Sequence, residues 1–180
     1  MKNILIVVDV QNGFTRYEQT KEVAKKIVEL THSGAFDYII ATQFINKEGS
    51  QFTEFLDWHR LQNSPDIDIY TGLQYDDLVK KYIYTMVDNH FMKQLSIIND
   101  GELPKEVYIC GIDTDCCVLK VATDLFEHHI KPLVLLDYCQ SNGGMKSHEA
   151  GILAMTRLIG HKSLLYGNIK NKSDLDKLID

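Results

Sequence analysis

The stretch Ile4-Leu5-Ile6-Val7-Val8-Asp9 decides the fold of this 180-residue chain. Five apolar residues, most of them β-branched, follow one another without the polar alternation of a half-exposed strand. Such a run predicts a strand that is buried on both faces, as in a parallel sheet. Asp9 then places a carboxylate at the carboxyl end of that strand.

Similar segments recur along the chain and alternate with stretches of helical spacing. Further strands are predicted at 38–41, 82–85, 106–111, 132–137 and 162–166. Helices are predicted at 20–31, 52–58, 76–81, 91–99, 115–129 and 148–158, with a last short one from 172. Strands that alternate with helices predict an α/β fold, an open parallel sheet covered on both faces by right-handed crossovers. No linker or repeat divides the sequence, so we predict a single domain over 1–180.

Composition narrows the class of function. The chain is 44% hydrophobic and 24% charged, with a net charge of −6. An acidic balance disfavours nucleic acid and membrane surfaces as partners, since both attract basic faces. No apolar run approaches the length of a membrane span, and the first residues lack the features of a signal peptide. We therefore expect a cytoplasmic protein with a small-molecule substrate.

Several chemically useful residues fall where predicted parallel strands end. Asp9, Thr85, Gly111 and Asp137 each end or follow such a strand. In open parallel sheets, ligands bind beyond the carboxyl ends of the strands. The topology therefore predicts a binding site at this edge of the sheet.

Two adjacent cysteines, Cys116 and Cys117, lie in the segment GIDTDCCV at 111–118. Thr114 is a plausible N-cap of the helix that follows, and the N-terminus of a helix stabilises a thiolate. The spacing alone equally fits two small buried hydrophobic residues. It also does not choose between the two thiols, because both flank the apolar stripe of the helix. The four cysteines of the chain show no metal-ligand spacing, and we expect free thiols.

Three motifs resemble those of the isochorismatase-like cysteine hydrolases, which include nicotinamidases. DVQNGF at 9–14 is similar to their opening DxQxxF, and GIDTDCCV is similar to GxxTDxCV. LLDYCQSNGGMKSHEAGI at 135–152 resembles their later strand, loop and HExA helix start. The resemblance implies a three-layer α/β/α Rossmann-like fold with a six-stranded parallel sheet, a homo-oligomer (dimer or larger) and no cofactor. It also implies hydrolysis of a small amide or related carbonyl compound through a thioester on Cys117.

The resemblance also assigns roles to individual residues. Asp9 handles protons, and the backbone N–H groups of Asp113 and Cys117 form an oxyanion hole after a cis peptide between Ile112 and Asp113. When Phe91 is aligned with the phenylalanine of the family, the lysine of the family's catalytic triad falls on Thr85, which cannot supply a positive charge. The expected substrate-binding residues are Gln11, Phe14 and His90, which lies beside the position of the missing lysine.

Two departures from the family pattern lead to further expectations. Phe44 and Asn46 stand at the metal-ligand positions of nicotinamidases, so we expect no bound metal, and Asp57-Trp58-His59 is interpreted as a coincidence on a helix surface. The missing lysine keeps open an alternative function, an altered scaffold that binds a small ligand or a protein. A nucleotide-binding Rossmann domain is disfavoured, because no glycine-rich turn follows the first strand.

Overall fold

A computed structural model of the chain describes residues 2–178. Its six strands are β1 (Ile4–Val8), β2 (Tyr38–Phe44), β3 (Asp77–Lys81), β4 (Glu106–Ile112), β5 (Lys131–Gln140) and β6 (Leu164–Leu165). They form one sheet in the order β3-β2-β1-β4-β5-β6, and every pairing is parallel. The predicted six-stranded parallel sheet is confirmed.

Helices cover both faces of the sheet. They are α1 (Glu18–Thr31), α2 (Gln51–Leu56), α3 (Asn89–Ile98), α4 (Leu119–Glu127), α5 (Met145–Leu158) and α6 (Lys172–Asp176). Helix α1 connects β1 to β2, which lies toward the β3 edge of the sheet. Helix α4 connects β4 to β5, which lies toward the opposite, β6 edge. Right-handed crossovers in opposite directions place these helices on opposite faces, which gives the predicted three-layer α/β/α arrangement. None of the helices within residues 2–178 combines the length and the apolar character needed to cross a bilayer.

The central strand β1 forms the middle of the core. All five of its side chains are fully buried, because neighbouring strands flank it and helices cover it. Leu5 pairs with Ile39 on β2 and with Tyr108 on β4. Burial of one such aliphatic side chain is worth roughly 1.5–3 kcal/mol, so this run anchors the sheet.

The strand order reverses between β1 and β4, and Gly111 makes the close approach of these strands possible. Its φ is +132°, and a Cβ built there would lie 2.1 Å from the Val8 carbonyl oxygen. Only glycine fits such a contact in this backbone conformation. The carboxyl ends of the two strands are thereby held together at the switch point, where open α/β sheets bind ligands.

The structure corrects one prediction that matters for the site. Residues 76–81, predicted as a helix, form β3 from Asp77 to Lys81. Residues 82–85, predicted as a strand, form a connection in which Tyr82, Ile83 and Tyr84 are exposed. The strand β3 lies at the edge of the sheet, so its side chains alternate between half-buried and exposed positions until Lys81. The third strand therefore ends four residues earlier than predicted.

Candidate active site

Three side chains from separate strand ends meet beyond the carboxyl edge of the sheet. Asp9 follows β1, Lys81 ends β3, and Cys117 lies in the π-helical turn Thr114–Val118 after β4. Lys81 Nζ is 2.7 Å from Asp9 Oδ2 and 3.5 Å from Cys117 Sγ. The sheet therefore brings together a carboxylate, an ammonium and a thiol.

Asp9 is fully buried and held in a fixed orientation. Its φ of 51° lies in the left-handed region, which turns the side chain away from the strand. Thr42 Oγ1 donates to Asp9 Oδ1 at 2.6 Å, and the Asp9 backbone N–H donates to Thr42 Oγ1 at 3.0 Å. These bonds leave Oδ2 to face Lys81.

Lys81 is the functional residue that the sequence analysis missed. It is only 3% exposed, and its ammonium also donates to the Ile83 and Tyr84 carbonyl oxygens at 3.2 and 3.0 Å. Burial alone lowers the pKa of a lysine, but the Asp9 carboxylate and the hydrogen bonds to Asp9 and Cys117 outweigh this effect and raise the pKa of Lys81. Lys81 is therefore a permanent cation in this site.

Thr85 does not occupy the place of the lysine, contrary to the prediction. Its hydroxyl accepts a hydrogen bond from the Val87 backbone N–H at 3.0 Å and shapes the connection to α3. The register error arises because the sequence pattern predicts the third strand at 82–85, whereas the structure has it at Asp77–Lys81. The strand that carries the lysine to the site ends at Lys81.

Cys117 is buried at 6% exposure and lines a cavity. Burial and the Asp9 carboxylate raise the pKa of the Cys117 thiol well above its usual value, although Lys81 acts in the opposite direction. The thiolate expected from the helix terminus is therefore not the resting form. The thiol is neutral at rest and has a carboxylate beside it that can accept its proton during attack on a carbonyl.

Cys116 differs from its neighbour, because no lysine or arginine among residues 2–178 hydrogen-bonds its thiol. It also lines the cavity, but burial and the charges of Asp115 and Asp113 raise its pKa to about 12. Lys81, the cation of the site, contacts Cys117. This asymmetry distinguishes the two thiols, which the sequence pattern could not do.

The turn that carries Cys117 is fixed from several sides. The peptide bond between Ile112 and Asp113 is cis, as the resemblance implied. Thr114, predicted as an N-cap, instead bonds His148 Nδ1 through its hydroxyl at 2.7 Å. Gly151 on α5 lies so close that a Cβ there would be 2.8 Å from Asp115 Cα. Helix α5 therefore holds the turn against the sheet.

The backbone at Asp113 and Cys117 offers hydrogen-bond donors to the cavity, which both residues line. No acceptor for the Asp113 N–H lies among residues 2–178, and no side chain there accepts from the Cys117 N–H. Free N–H groups beside a nucleophile can stabilise negative charge on a carbonyl oxygen. The predicted oxyanion hole stays a prediction that this geometry permits.

Asp113 also places a carboxylate beside the cavity. Its Oδ1 accepts bonds from the Asn142 backbone N–H at 2.7 Å and from the Asn142 side-chain amide at 2.8 Å. Burial raises the pKa of Asp113 to about 6, against the opposing effect of Asn142. The folded chain therefore binds this proton more tightly than the unfolded chain does.

We expect Asp113→Asn to stabilise the protein in a pH-dependent manner. A group with a raised folded pKa loses its stabilising contribution as pH rises, here from about 4 through about 6. Asparagine cannot ionise and keeps an acceptor for Asn142. The variant should therefore exceed the parent by about 1–2 kcal/mol in free energy of unfolding at about pH 8, and by nothing at about pH 4. Urea unfolding at both pH values measures this difference, and a pH-independent gain contradicts it.

The cavity above Cys117 has a volume of about 440 Å³. Six aromatic residues line its wall: Phe14, Tyr17, Phe44, Phe52, Trp58 and Tyr84. The Phe14 and Trp58 rings are stacked with centroids 6.1 Å apart and an interplanar angle of 19°. A cavity of this size and lining suits a small planar or apolar molecule.

The family model for the isochorismatase domain matches residues 3–162. The chain belongs to the isochorismatase family. No curated protein matches the sequence significantly. The family assignment therefore rests on most of the chain and agrees with the resemblance seen in the three motifs.

Solved structures with this isochorismatase fold carry different activities. An isochorismatase-like hydrolase from Alkaliphilus metalliredigens is 20% identical with a TM-score of 0.71, over 88% of this chain and 92% of that one. A Pyrococcus horikoshii pyrazinamidase, solved with zinc, is 21% identical with a TM-score of 0.75, over 93% and 99%. A Caenorhabditis elegans ribonuclease is 16% identical with a TM-score of 0.63, over 87% and 73%. The fold alone therefore leaves the reaction open.

Of the three residues predicted to bind substrate in this isochorismatase family member, only one lines the cavity. Phe14 lines the cavity. Gln11 is fully buried and clamps the backbone, donating to the Phe44 and Ile67 carbonyls and accepting from the Phe44 N–H, so it supports the wall rather than facing the cavity. His90 is exposed at the start of α3 and does not line the cavity.

The residues at the expected metal-ligand positions do not fit a metal. Phe44 has no donor atom, and the Asn46 amide donates to the Trp58 and Arg60 carbonyls at 2.8 and 3.0 Å. Within residues 2–178, no group of three or more His, Cys, Asp or Glu side chains is arranged to hold a metal ion. These two positions therefore lack the ligand pair of a metal site.

The three residues of the Asp57-Trp58-His59 stretch differ in whether they contribute to the cavity. Asp57 ends α2 with a φ of 49°, and His59 bonds its exposed carboxylate at 2.9 Å. Trp58, interpreted from sequence as a surface residue, packs in the cavity wall. The tryptophan contributes to the site, while its two neighbours lie at the surface.

Proposed function

We propose that this isochorismatase family member hydrolyses the C–N bond of a small amide through a thioester on Cys117. One observation carries the proposal: the Lys81 ammonium contacts both the Asp9 carboxylate and the Cys117 sulfur, and Cys117 lines an aromatic cavity. Acyl transfer of this kind needs a base, a fixed cation and a nucleophile, which Asp9, Lys81 and Cys117 supply in that order.

In the first half-reaction, Cys117 Sγ attacks the amide carbon and its proton passes to Asp9. The carbonyl π electrons move to the oxygen, where the Asp113 and Cys117 N–H groups stabilise the charge. The tetrahedral intermediate then collapses and the C–N bond breaks. The leaving nitrogen takes the proton from Asp9, and the acyl group stays on sulfur as a thioester.

In the second half-reaction, a water molecule attacks the thioester carbon and gives a proton to Asp9. Collapse of this intermediate breaks the C–S bond and releases the carboxylic acid. The departing sulfur recovers a proton from Asp9, which restores the resting site. Lys81 keeps its charge throughout and stabilises negative charge on Asp9 and on sulfur in turn.

The alternative of an altered scaffold no longer has a specific observation in its favour. It rested on the absence of the family's lysine, and Lys81 stands beside Asp9 and Cys117. A buried ion pair next to a thiol is costly to keep in a protein that uses it only as scaffold.

Ammonia release from a panel of small primary amides tests the proposal. The panel includes nicotinamide and pyrazinamide, because nicotinamidases and pyrazinamidases share the fold. We expect turnover of at least one amide, a thioester adduct on Cys117 by mass spectrometry, and loss of both in Cys117→Ala. Cys116→Ala is the matched control and should retain turnover. Release that persists in Cys117→Ala, or no release and no adduct from any amide, overturns the proposal.

A further inference from the structure

We infer that the cavity takes amides that also carry a carboxylate, and that Arg16 and Arg60 bind this group. The inference rests on the proposed function and adds the class of its substrate. It comes from the cations on the cavity wall, which the mechanism above does not use.

Arginine is scarce in this chain and concentrated at the cavity. The sequence has only three arginines among its 19 basic residues. Arg16 and Arg60 line the cavity, and the third, Arg157, lies exposed in the last turn of α5. A planar guanidinium binds a carboxylate with two parallel hydrogen bonds, which the ammonium of a lysine cannot match.

Neither of the two arginines is committed to another acid of the protein. Among residues 2–178, no carboxylate lies within ion-pair distance of Arg16 or Arg60. Both guanidinium groups therefore remain available to a ligand.

The backbone that carries both arginines is well anchored. Arg16 follows Thr15, whose N–H and hydroxyl both bond the Gln11 carbonyl oxygen at 3.0 and 3.1 Å. The Arg60 carbonyl accepts from the Asn46 amide at 3.0 Å, and the Asn46 N–H donates to the Leu61 carbonyl at 2.8 Å. Both side chains thus start from ordered positions on the wall.

The charge at the cavity opposes that of the whole chain. The protein carries a net charge of −6, yet its cavity wall has two guanidinium groups against one carboxylate, Asp113. The Asp113 carboxylate is already engaged by Asn142. An anionic substrate is therefore attracted locally by a surface that otherwise repels it.

The cavity wall that holds the two cations and the thiol also favours a flat molecule. Phe14 and Trp58 are stacked, and Phe14 directly precedes the Thr15-Arg16 segment. A substrate with a planar or apolar body can lie along these rings, with its amide at Cys117 and its carboxylate at the arginines. The inferred class is thus a small amide with a carboxylate at the opposite end of an apolar body.

Two thiol-directed probes of equal shape test the inference without a known substrate. N-(4-carboxyphenyl)maleimide is anionic, and N-(4-carbamoylphenyl)maleimide is its neutral isostere. The rate of adduct formation at Cys117 is followed for each probe by peptide mass spectrometry. The variants are Arg16→Gln/Arg60→Gln and the matched control Arg157→Gln, each checked for an unchanged melting temperature.

We expect the ratio of anionic to neutral probe rates to fall about tenfold or more in the double variant, the usual effect of lost charge-assisted hydrogen bonds. The ratio should be unchanged in Arg157→Gln and should decline with added salt in the parent. Equal ratios in the parent and the double variant overturn the carboxylate assignment and leave the reactive thiol intact. A Cys117 that neither probe labels contradicts the proposed function, and the assignment then falls with it.

Discussion

Replacing Lys81 with methionine is expected to slow alkylation of Cys117 by iodoacetamide at least ~100-fold and to lower the free energy of unfolding by about 3–5 kcal/mol. Methionine has a similar length and is apolar, so it fills the space without supplying charge. Asp9, which is fully buried, then loses the cation 2.7 Å from its carboxylate. An unpaired buried carboxylate takes up a proton or destabilises the fold, and in either case it is lost as a base.

Lys80→Met is the matched control for this variant. Lys80 precedes Lys81 on the same strand, but its side chain is exposed, so its loss should change stability by no more than about 0.5 kcal/mol. Alkylation at Cys117 is measured by peptide mass spectrometry and stability by urea unfolding. Similar behaviour of the two lysine variants would falsify the role given to Lys81.

Replacing Asp9 with asparagine is expected to change the thiol in the opposite direction. Asparagine keeps the shape and an acceptor for the Thr42 hydroxyl, but it removes a charge that raises the pKa of Cys117. Lys81 then acts on the thiol without the opposing charge of Asp9, so the pKa of Cys117 falls relative to the parent even though burial still raises it. Without a base, amide hydrolysis should fall by about 10²–10⁴-fold even though the thiolate forms more easily.

The pH dependence of alkylation at Cys117 in Asp9→Asn measures this shift. The midpoint of the profile should lie below that of Lys81→Met, in which the cation is missing. A profile for Asp9→Asn that is identical to that of the parent contradicts the assignment of Asp9 as proton acceptor.

The central strands of the sheet were predictable because burial on both faces requires an uninterrupted run of apolar residues. A strand covered on both faces, such as β1, must be apolar throughout, and the short length and β-branched residues of this run favour a strand over a helix. The same reasoning located β4 and β5. It failed at the edge strand β3, where half-buried and exposed side chains alternate and a helix was predicted at 76–81.

Lys81 escaped prediction for a physical reason. Lysine is among the residues least often buried. Nothing in the sequence around Lys81 shows that the Asp9 carboxylate lies beside it, because Asp9 follows a strand two positions away in the sheet. Its role follows from pairing across the sheet, which brings the ends of β1 and β3 together. The apolar run at 82–85 added to the error, because exposed aromatic residues there resembled a strand.

The cavity wall was also only partly predictable. Phe14 was expected from its motif, but Trp58 and Arg60 come from the connection between β2 and β3, which has little regular structure. Their approach depends on hydrogen bonds such as those from the Asn46 amide to the Trp58 and Arg60 carbonyls. Long-range anchoring of this kind leaves no periodic signal in a sequence.

The mechanism requires that Asp9 receives the Cys117 proton inside the site, and the pH profile of alkylation in the parent tests this transfer. The protein is treated with limiting iodoacetamide between about pH 7 and about pH 9, and adducts at Cys116 and Cys117 are quantified separately. Internal transfer to Asp9 predicts that Cys117 labels first and at a nearly constant rate. Cys116, whose pKa is raised to about 12, should label slowly and about tenfold faster per pH unit. A Cys117 rate that climbs as steeply as that of Cys116, or labelling of Cys116 first, contradicts the account.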